Sequence, residues 1–428
     1  MKKTIAKLIL PLLLAVALPA GAARTVMLIT IDGFRGTMVD DPQMPTPFLK
    51  MMSAGGMRVD KIIGVPPAAT YPSHTTLVTG VVPAKHHIYY NRPFLRNQDV
   101  PQVSYWWADT IGAPTIWQQA KERGLTTCAL FWPVSTGSRY IDYNVPEFWS
   151  LDYRVDQLAY IKPWCTPAGI LDTLERHACG DLNGITYMAG SLQRDGRTAA
   201  MANYILNRYR PNLFTIHLIT TDYAQHATGL MSQRVLEAVA SADHAVGTII
   251  ENLRRTRQLD STVLIVTGDH GFCDYHRILA PNVWLTQAGL LSEKLGGEWQ
   301  ACFVGAGSTS FLYLNGKHQA KTLKRVKALL SQLPDSVQAM YRLYDKAQLD
   351  SMGADPQVAL ALEPAHDVTV SNARTGAAIT YRHGGTHGYL DHRDATTMIV
   401  WGAGIKPGKQ AQMQQTAIAP MILELLDK

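Results

Sequence analysis

Three apolar, β-branched runs each end on an aspartate, and this constrains the fold more than any other feature of the chain. "TVMLITI" (25–31) leads to Asp32, "LFTIHLI" (213–219) to Asp222, and "TVLIVT" (262–267) to Asp269. Runs that are apolar throughout, rather than alternating, are the pattern of strands buried on both faces of a parallel sheet. "TCALFW" (127–132) and "TTMIVW" (396–401) have the same character. Amphipathic stretches between them predict helices over 45–54, 73–80, 115–123, 231–257 and 415–427, with Gly124 closing the third. The expectation is an α/β fold, a doubly wound, mostly parallel sheet with helices on both faces. Residues 272–380 break this rhythm with shorter strands, Gly and Pro breaks and a basic helix around "KTLKRVKALLSQL". They are read as a cap subdomain inserted between core segments 24–271 and 381–428.

The first 23 residues pair lysines with an apolar run and end in Ala20-Gly21-Ala22, the pattern of a cleaved secretory signal. Export, to the periplasm, is therefore expected, with no membrane anchor left after cleavage. The formal charge of +6 falls by three once Lys2, Lys3 and Lys7 are removed, and no basic run suggests a nucleic-acid polymer as partner. Five cysteines in an exported chain suggest disulfides, Cys165 with Cys179 first and Cys273 with Cys302 next, leaving Cys128 as a buried thiol. Oligomeric state is not readable from the sequence.

Ligands of open α/β sheets bind beyond the carboxyl ends of the strands, where the three aspartates fall. One such aspartate is commonly a turn residue or helix cap. Here His226 follows Asp222 by four residues, His270 directly follows Asp269, and His387 stands between glycines in "GGTHGYLDH". Such a mixed oxygen and nitrogen set is one that zinc accepts, and six ligands plus Thr70 suit two ions. Thr70 itself opens "TYPSHTTLVTG", either as a helix cap or as a group aimed at a bound phosphoryl. His74, His86, His87, His177 and His318 lack an aspartate at comparable spacing and are expected to be structural.

With these residues in order, the chain resembles the nucleotide pyrophosphatase/phosphodiesterase family of the alkaline phosphatase superfamily. "ITIDGFR" resembles its first metal motif, "TYPSHTTLVTG" its nucleophile motif, "TGDHGF" its Asp-His-Gly motif and "GTHGY" its last histidine motif. The resemblance implies one zinc held by Asp222, His226 and His387, and another by Asp32, Asp269 and His270 beside the Thr70 oxygen. It implies Thr70 as nucleophile forming a phosphothreonine, with Asn91 and the Tyr71 backbone N–H binding a phosphoryl oxygen. A small phosphodiester or nucleotide is the implied substrate.

Gln225, Ser73 and Gly268 depart from the family pattern without removing an implied ligand. His217 stands where relatives carry a tyrosine that stacks on the nucleobase, which puts nucleotide preference in question. Trp106 and Trp107 resemble a stretch near the substrate groove, where they would stack on a base or enclose a choline-like cation; the equal alternative is that they are core aromatics. A phosphomonoesterase of the superfamily would need a Lys-x-Arg pair, for which only Lys121-Glu122-Arg123 offers itself. A phosphonate hydrolase or an inactive binding protein are the other readings. Against a sulfatase stand the glycine at 169 in "CTPAG", where the formylglycine motif needs arginine, and the distance of this stretch from the proposed ligands.

Overall fold

A computed structural model of the protein describes residues 24–96, 104–152, 154–182 and 190–428. The expected signal segment lies outside the described residues. The central sheet uses β1 (Thr25–Ile31), β2 (Met57–Ile63), β3 (Thr127–Leu130), β4 (Tyr143–Val145), β5 (Leu213–Leu218) and β6 (Thr262–Thr267). Two smaller sheets follow, built from β7 (Cys273–Leu279), β8 (Ala301–Ala306), β9 (Thr309–Leu314), β10 (Tyr341–Asp345), β11 (Leu360–Pro364), β12 (Asp367–Val370) and β13 (Ile379–Thr386). The chain then returns to the large sheet with β14 (Thr396–Gly402) and β15 (Gly408–Gln414), giving the order β15-β2-β14-β6-β1-β5-β3-β4. β1 is parallel to both β5 and β6, while β14 runs against its neighbours β6 and β2. The α/β expectation and its mostly parallel sheet are borne out.

Burial explains why the central runs lack alternation. Met27, Ile29 and Ile31 of β1 pack into one core cluster, together with Val235, Val239, Val246 and Ile249 from the helix Gln233–Arg255. Val26 and Leu28 face the opposite cluster, with Leu77 and Val78 of the helix Thr70–Thr79 and Ile418 and Ile422 of the helix Ile418–Leu426. Successive side chains point to opposite faces, so a strand covered on both sides must be apolar at every position. The long helix starts where Ser232 Oγ accepts from Val235 N at 3.2 Å, a side-chain cap of the preferred type. Gly124 has φ +76° just past the helix Ile116–Glu122, as a helix-closing glycine does.

The four-stranded sheet, β10-β11-β9-β8, carries a separate apolar cluster that includes Trp284, Phe303, Phe311, Leu312, Leu330 and Leu362. The basic helix appears as Gln319–Ser331. The disulfide expectation is corrected, because all five cysteines are free. Cys165 Sγ and Cys179 Sγ instead donate to the Ile161 and Leu174 carbonyls, at 3.6 and 3.5 Å. Cys273 and Cys302 sit on strands of different sheets. Cys128 is a buried thiol within β3.

Candidate active site

The three aspartates meet because their strands are neighbours running the same way. Asp32 follows β1, Asp269 follows β6, and Asp222 lies in the first turn of the helix Thr220–Thr228 after β5. β2 is antiparallel to β14, which is antiparallel to β6, so β2 also points at this edge and delivers Thr70 to it. Thr70 is the first residue of its helix, the N-cap is Ala69, and no side chain caps this end. Pro72 falls in the first turn, where its missing N–H costs nothing, so the helix begins three residues earlier than expected. Gly33, at φ +68°, turns the chain after Asp32 and donates to Asp269 Oδ1 at 3.2 Å. A Cβ there would come within 2.8 Å of Gln225 and Phe272.

Asp222, His226 and His387 bring ligand atoms within 4.8 Å of one another, and so do Asp32, Asp222 and His270. His226 Nε2 lies 3.5 Å from Asp222 Oδ1, and His387 Nε2 lies 3.9 Å from the same oxygen. His270 Nε2 is 3.3 Å from Asp32 Oδ1, 3.2 Å from Asp269 Oδ2 and 3.4 Å from Thr70 Oγ1.

Each of these histidines spends its Nδ1 on a backbone carbonyl: His226 on Gly385, His270 on Gly271 and His387 on Ala68, at 3.1, 3.1 and 2.9 Å. A carbonyl only accepts, so Nδ1 carries a proton and Nε2 is the nitrogen turned toward the carboxylates. Burial pushes His270 down to about 3 and His387 well below its ordinary value, so both rings are neutral near pH 7. Lone pairs and carboxylate oxygens then face each other. The oxygens concerned, Asp32 Oδ1, Asp222 Oδ1 and Asp269 Oδ2, are buried and accept no hydrogen bond among the described residues. Burial, reinforced by Asp269 and Asp222, raises Asp32 well above the usual carboxylate range, and burial raises Asp269 to about 7. Cations between these groups reverse each of those penalties, so the donor set fits metal ions of the zinc type.

Asn91 and Tyr71 are brought together beside Thr70: the Tyr71 N–H donates to Asn91 Oδ1 at 2.9 Å. That leaves the Asn91 amide NH2 without a partner among the described residues and occupies the Tyr71 N–H. His74 lies directly beneath the site, with Nδ1 2.7 Å from the Thr70 carbonyl and Nε2 2.8 Å from Thr30 Oγ1. His86 bonds Thr76 Oγ1 at 3.0 Å, away from the carboxylates.

The substrate-facing expectations fare differently. Trp106 is 4 % exposed and packs edge-on against Phe148 and Trp149 as part of the core. Trp107 is partly exposed against Trp164. The cleft wall belongs to Phe148 and Trp149, which the sequence reading missed. His217 is buried with both ring nitrogens engaged, Nε2 at 3.1 Å from Asp32 Oδ2 and Nδ1 at 3.0 Å from Glu147 Oε2. Burial alone would lower its pKa, but the bonds to Asp32 and Glu147 outweigh this and hold the ring protonated. It has no nitrogen left for a substrate.

Two cavities meet at this edge. One, of about 390 Å³, is lined by Asp32, Thr70, Arg92, Phe148, Trp149 and Arg194 among others. The second, of about 440 Å³, reaches His226 and His387 and continues along Phe303–Gly307 and Asn372. They share Asn91 and Arg92. A larger cavity of about 630 Å³, beside Trp299 and Asn315, contains none of the candidate residues. Lys121 and Arg123 face neither arm, being paired with Asp142 and Asp427 at 2.6 and 2.7 Å.

A family model described as type I phosphodiesterase / nucleotide pyrophosphatase matches residues 26–390. Ectonucleotide pyrophosphatase/phosphodiesterase family member 3 of Mus musculus is 25% identical over 254 residues, 58% of this chain and 24% of that protein. Family member 7 of Mus musculus is 25% identical over 261 residues, 59% of this chain and 51% of that protein. The venom phosphodiesterase CdcPDE of Crotalus durissus collilineatus is 22% identical over 264 residues, 59% of this chain and 27% of that protein. The match therefore spans at most about half the length of these relatives. Among solved structures, murine ectonucleotide pyrophosphatase/phosphodiesterase 5, an inactive variant in complex with AMP, gives a TM-score of 0.64 at 17% identity. The superposition covers 94% of this chain and 95% of that one, and the human counterpart gives the same values. At that identity the likeness concerns the fold.

Proposed function

Because the chain belongs to the type I phosphodiesterase / nucleotide pyrophosphatase family, we propose that it hydrolyses small phosphate diesters or nucleotide pyrophosphates through a phosphothreonine at Thr70. The observation that carries this reading is the pair of cavities that share Asn91 and Arg92 next to Thr70. A diester presents two arms to its reacting phosphorus, and each cavity accepts one. A monoester fills only one.

In this reading one zinc is held by Asp222, His226 and His387, and the other by Asp32, Asp269 and His270, with Thr70 beside it. Bound zinc supplies positive charge that favours the threonine alkoxide and the developing charge on the departing oxygen. The Thr70 oxygen forms its bond to phosphorus as the ester bond on the far side breaks, and the departing oxygen takes up a proton. Asn91 donates to a non-bridging oxygen through its NH2. The start of the Thr70–Thr79 helix is also the end whose dipole favours an anion. Water then attacks phosphorus, releases the monoester and restores the Thr70 hydroxyl. Phe148 and Trp149 flank the arm that stays attached.

Residues 272–380 serve as the cap in this proposal, since Phe303–Gly307 and Asn372 line the second arm. Export with loss of residues 1–23 belongs to it as well. No helix among the described residues is long and apolar enough to cross a membrane. Arg92 and Arg194 beside the first arm favour a second reading, cleavage of a more highly charged phosphomonoester or of a phosphonate. Zinc-loaded protein and Thr70→Ala, assayed with bis-p-nitrophenyl phosphate and p-nitrophenyl phosphate, separate the two. Faster diester cleavage that disappears in the variant supports the first reading, and faster monoester cleavage the second. Turnover of neither substrate leaves the inactive binding protein.

A further inference from the structure

Glu147 is absent from every motif in the sequence, yet it joins three elements of the site. Its Oε2 lies 3.0 Å from His217 Nδ1, and its Oε1 accepts from the Tyr71 hydroxyl at 2.9 Å. His217 passes the connection on through Nε2, 3.1 Å from Asp32 Oδ2. Asp32 then has one oxygen fixed by a hydrogen bond, while the other, Oδ1, faces His270 Nε2 without one. The neighbour of Thr70 is thereby linked through a carboxylate and an imidazole to the first aspartate of the site.

His217 pairs across the sheet with Thr30 and lies against His74, ring centres 4.2 Å apart, on the face covered by the Thr70–Thr79 helix. Glu147 comes from the segment after β4 at the sheet edge. An edge segment, a central strand and a helix start thus share one buried polar chain. A ligating carboxylate works only when the correct oxygen points at the ion, and a hydrogen bond to the other oxygen sets that orientation.

We propose that Glu147 and His217 are positioning residues that aim Asp32 Oδ1 at a zinc ion, with the Tyr71 hydroxyl holding Glu147 in register with the Thr70 helix. Both border the first arm of the cleft, but the polar atoms of each are engaged with Asp32, Tyr71 or one another. The ring at 217 is part of the metal site's support, and the cleft therefore offers no stacking surface there.

The proposal rests on the two-zinc reading, and its test is zinc retention, which does not depend on which ester is cleaved. Zinc-loaded wild type, Glu147→Gln, His217→Asn and Tyr71→Phe are dialysed against a competing chelator, and zinc per chain is measured beside the thermal midpoint. Loss of a second-layer partner typically weakens metal affinity about 10–100-fold. The expected result is selective loss of one ion in Glu147→Gln and His217→Asn, with a smaller loss in Tyr71→Phe. On bis-p-nitrophenyl phosphate, kcat should fall while KM holds. Wild-type zinc retention in both Glu147→Gln and His217→Asn overturns the proposal, as does zinc loss that merely follows unfolding. A wild type that holds no zinc overturns it too. A wild type that keeps two ions but cleaves neither ester overturns the proposed reaction and leaves the zinc result to decide the positioning role.

Discussion

His226 stands one helical turn after Asp222, and the Asp222 carboxylate reaches both candidate metal groups while His226 reaches one. This asymmetry predicts unequal losses. Asp222→Ala should release the zinc it shares with His226 and His387 and loosen the one at Asp32, Asp269 and His270, while His226→Ala should affect the first alone. Atomic absorption on dialysed protein checks it, and an Asp222→Ala protein that keeps both ions as tightly as wild type would sink the assignment.

Ile249 is fully buried where the long helix meets the sheet. Its replacement by alanine removes buried methyl groups and leaves a cavity, at a cost of about 2–5 kcal/mol. Urea unfolding at fixed zinc concentration should show a lower midpoint with an unchanged slope. Turnover of the folded fraction should match wild type, since Ile249 lines neither arm of the cleft.

Ser232 tests the helix start on a smaller scale. Ser232→Ala leaves the Val235 N–H without its side-chain acceptor and should cost about 0.5–2 kcal/mol. Ser232→Asp should recover most of it. Equal stability of all three proteins would show that water replaces the cap.

Burial raises Asp394 to about 7, well above its unfolded value, although it accepts from the Gly388 and Tyr389 N–H groups. The folded state therefore binds this proton more tightly than the unfolded one. The stabilising contribution is complete below about pH 4 and is lost as pH rises through about 7. Denaturation of wild type and Asp394→Asn across that range should show wild type losing ground to the variant as pH rises. A constant difference would contradict the assignment.

Five free thiols make a further prediction. Alkylation in denaturant without reductant should label all five cysteines, and reductant should leave the thermal midpoint unchanged. A mass consistent with fewer labels would mean that a bridge forms.

The central strands were legible because burial on two faces leaves an uninterrupted apolar run, as in β1, β5 and β6. Strands outside that environment were not. β15, "GKQAQMQ", is an exposed sheet edge, β2, "MRVDKII", mixes charge with apolar residues, and β4 has only three residues. The spacings of Asp222 with His226 and of Asp269 with His270 were visible because both partners are local. His217 was legible as a residue but not as a role, since Asp32 and Glu147 lie 185 and 70 positions away. Trp106 failed for a related reason. Which aromatic faces the cleft depends on how the segment after β4 folds back, and Phe148 and Trp149 take that place.

The position of β2 between β14 and β15 ties Thr70 to partners far along the sequence. The strand that leads to the proposed nucleophile is bordered on both sides by strands that follow the inserted segment, so the seat of Thr70 is a long-range contact and not a local one. Loosening β14 or β15 would therefore reach Thr70 through the sheet, without touching any residue around it.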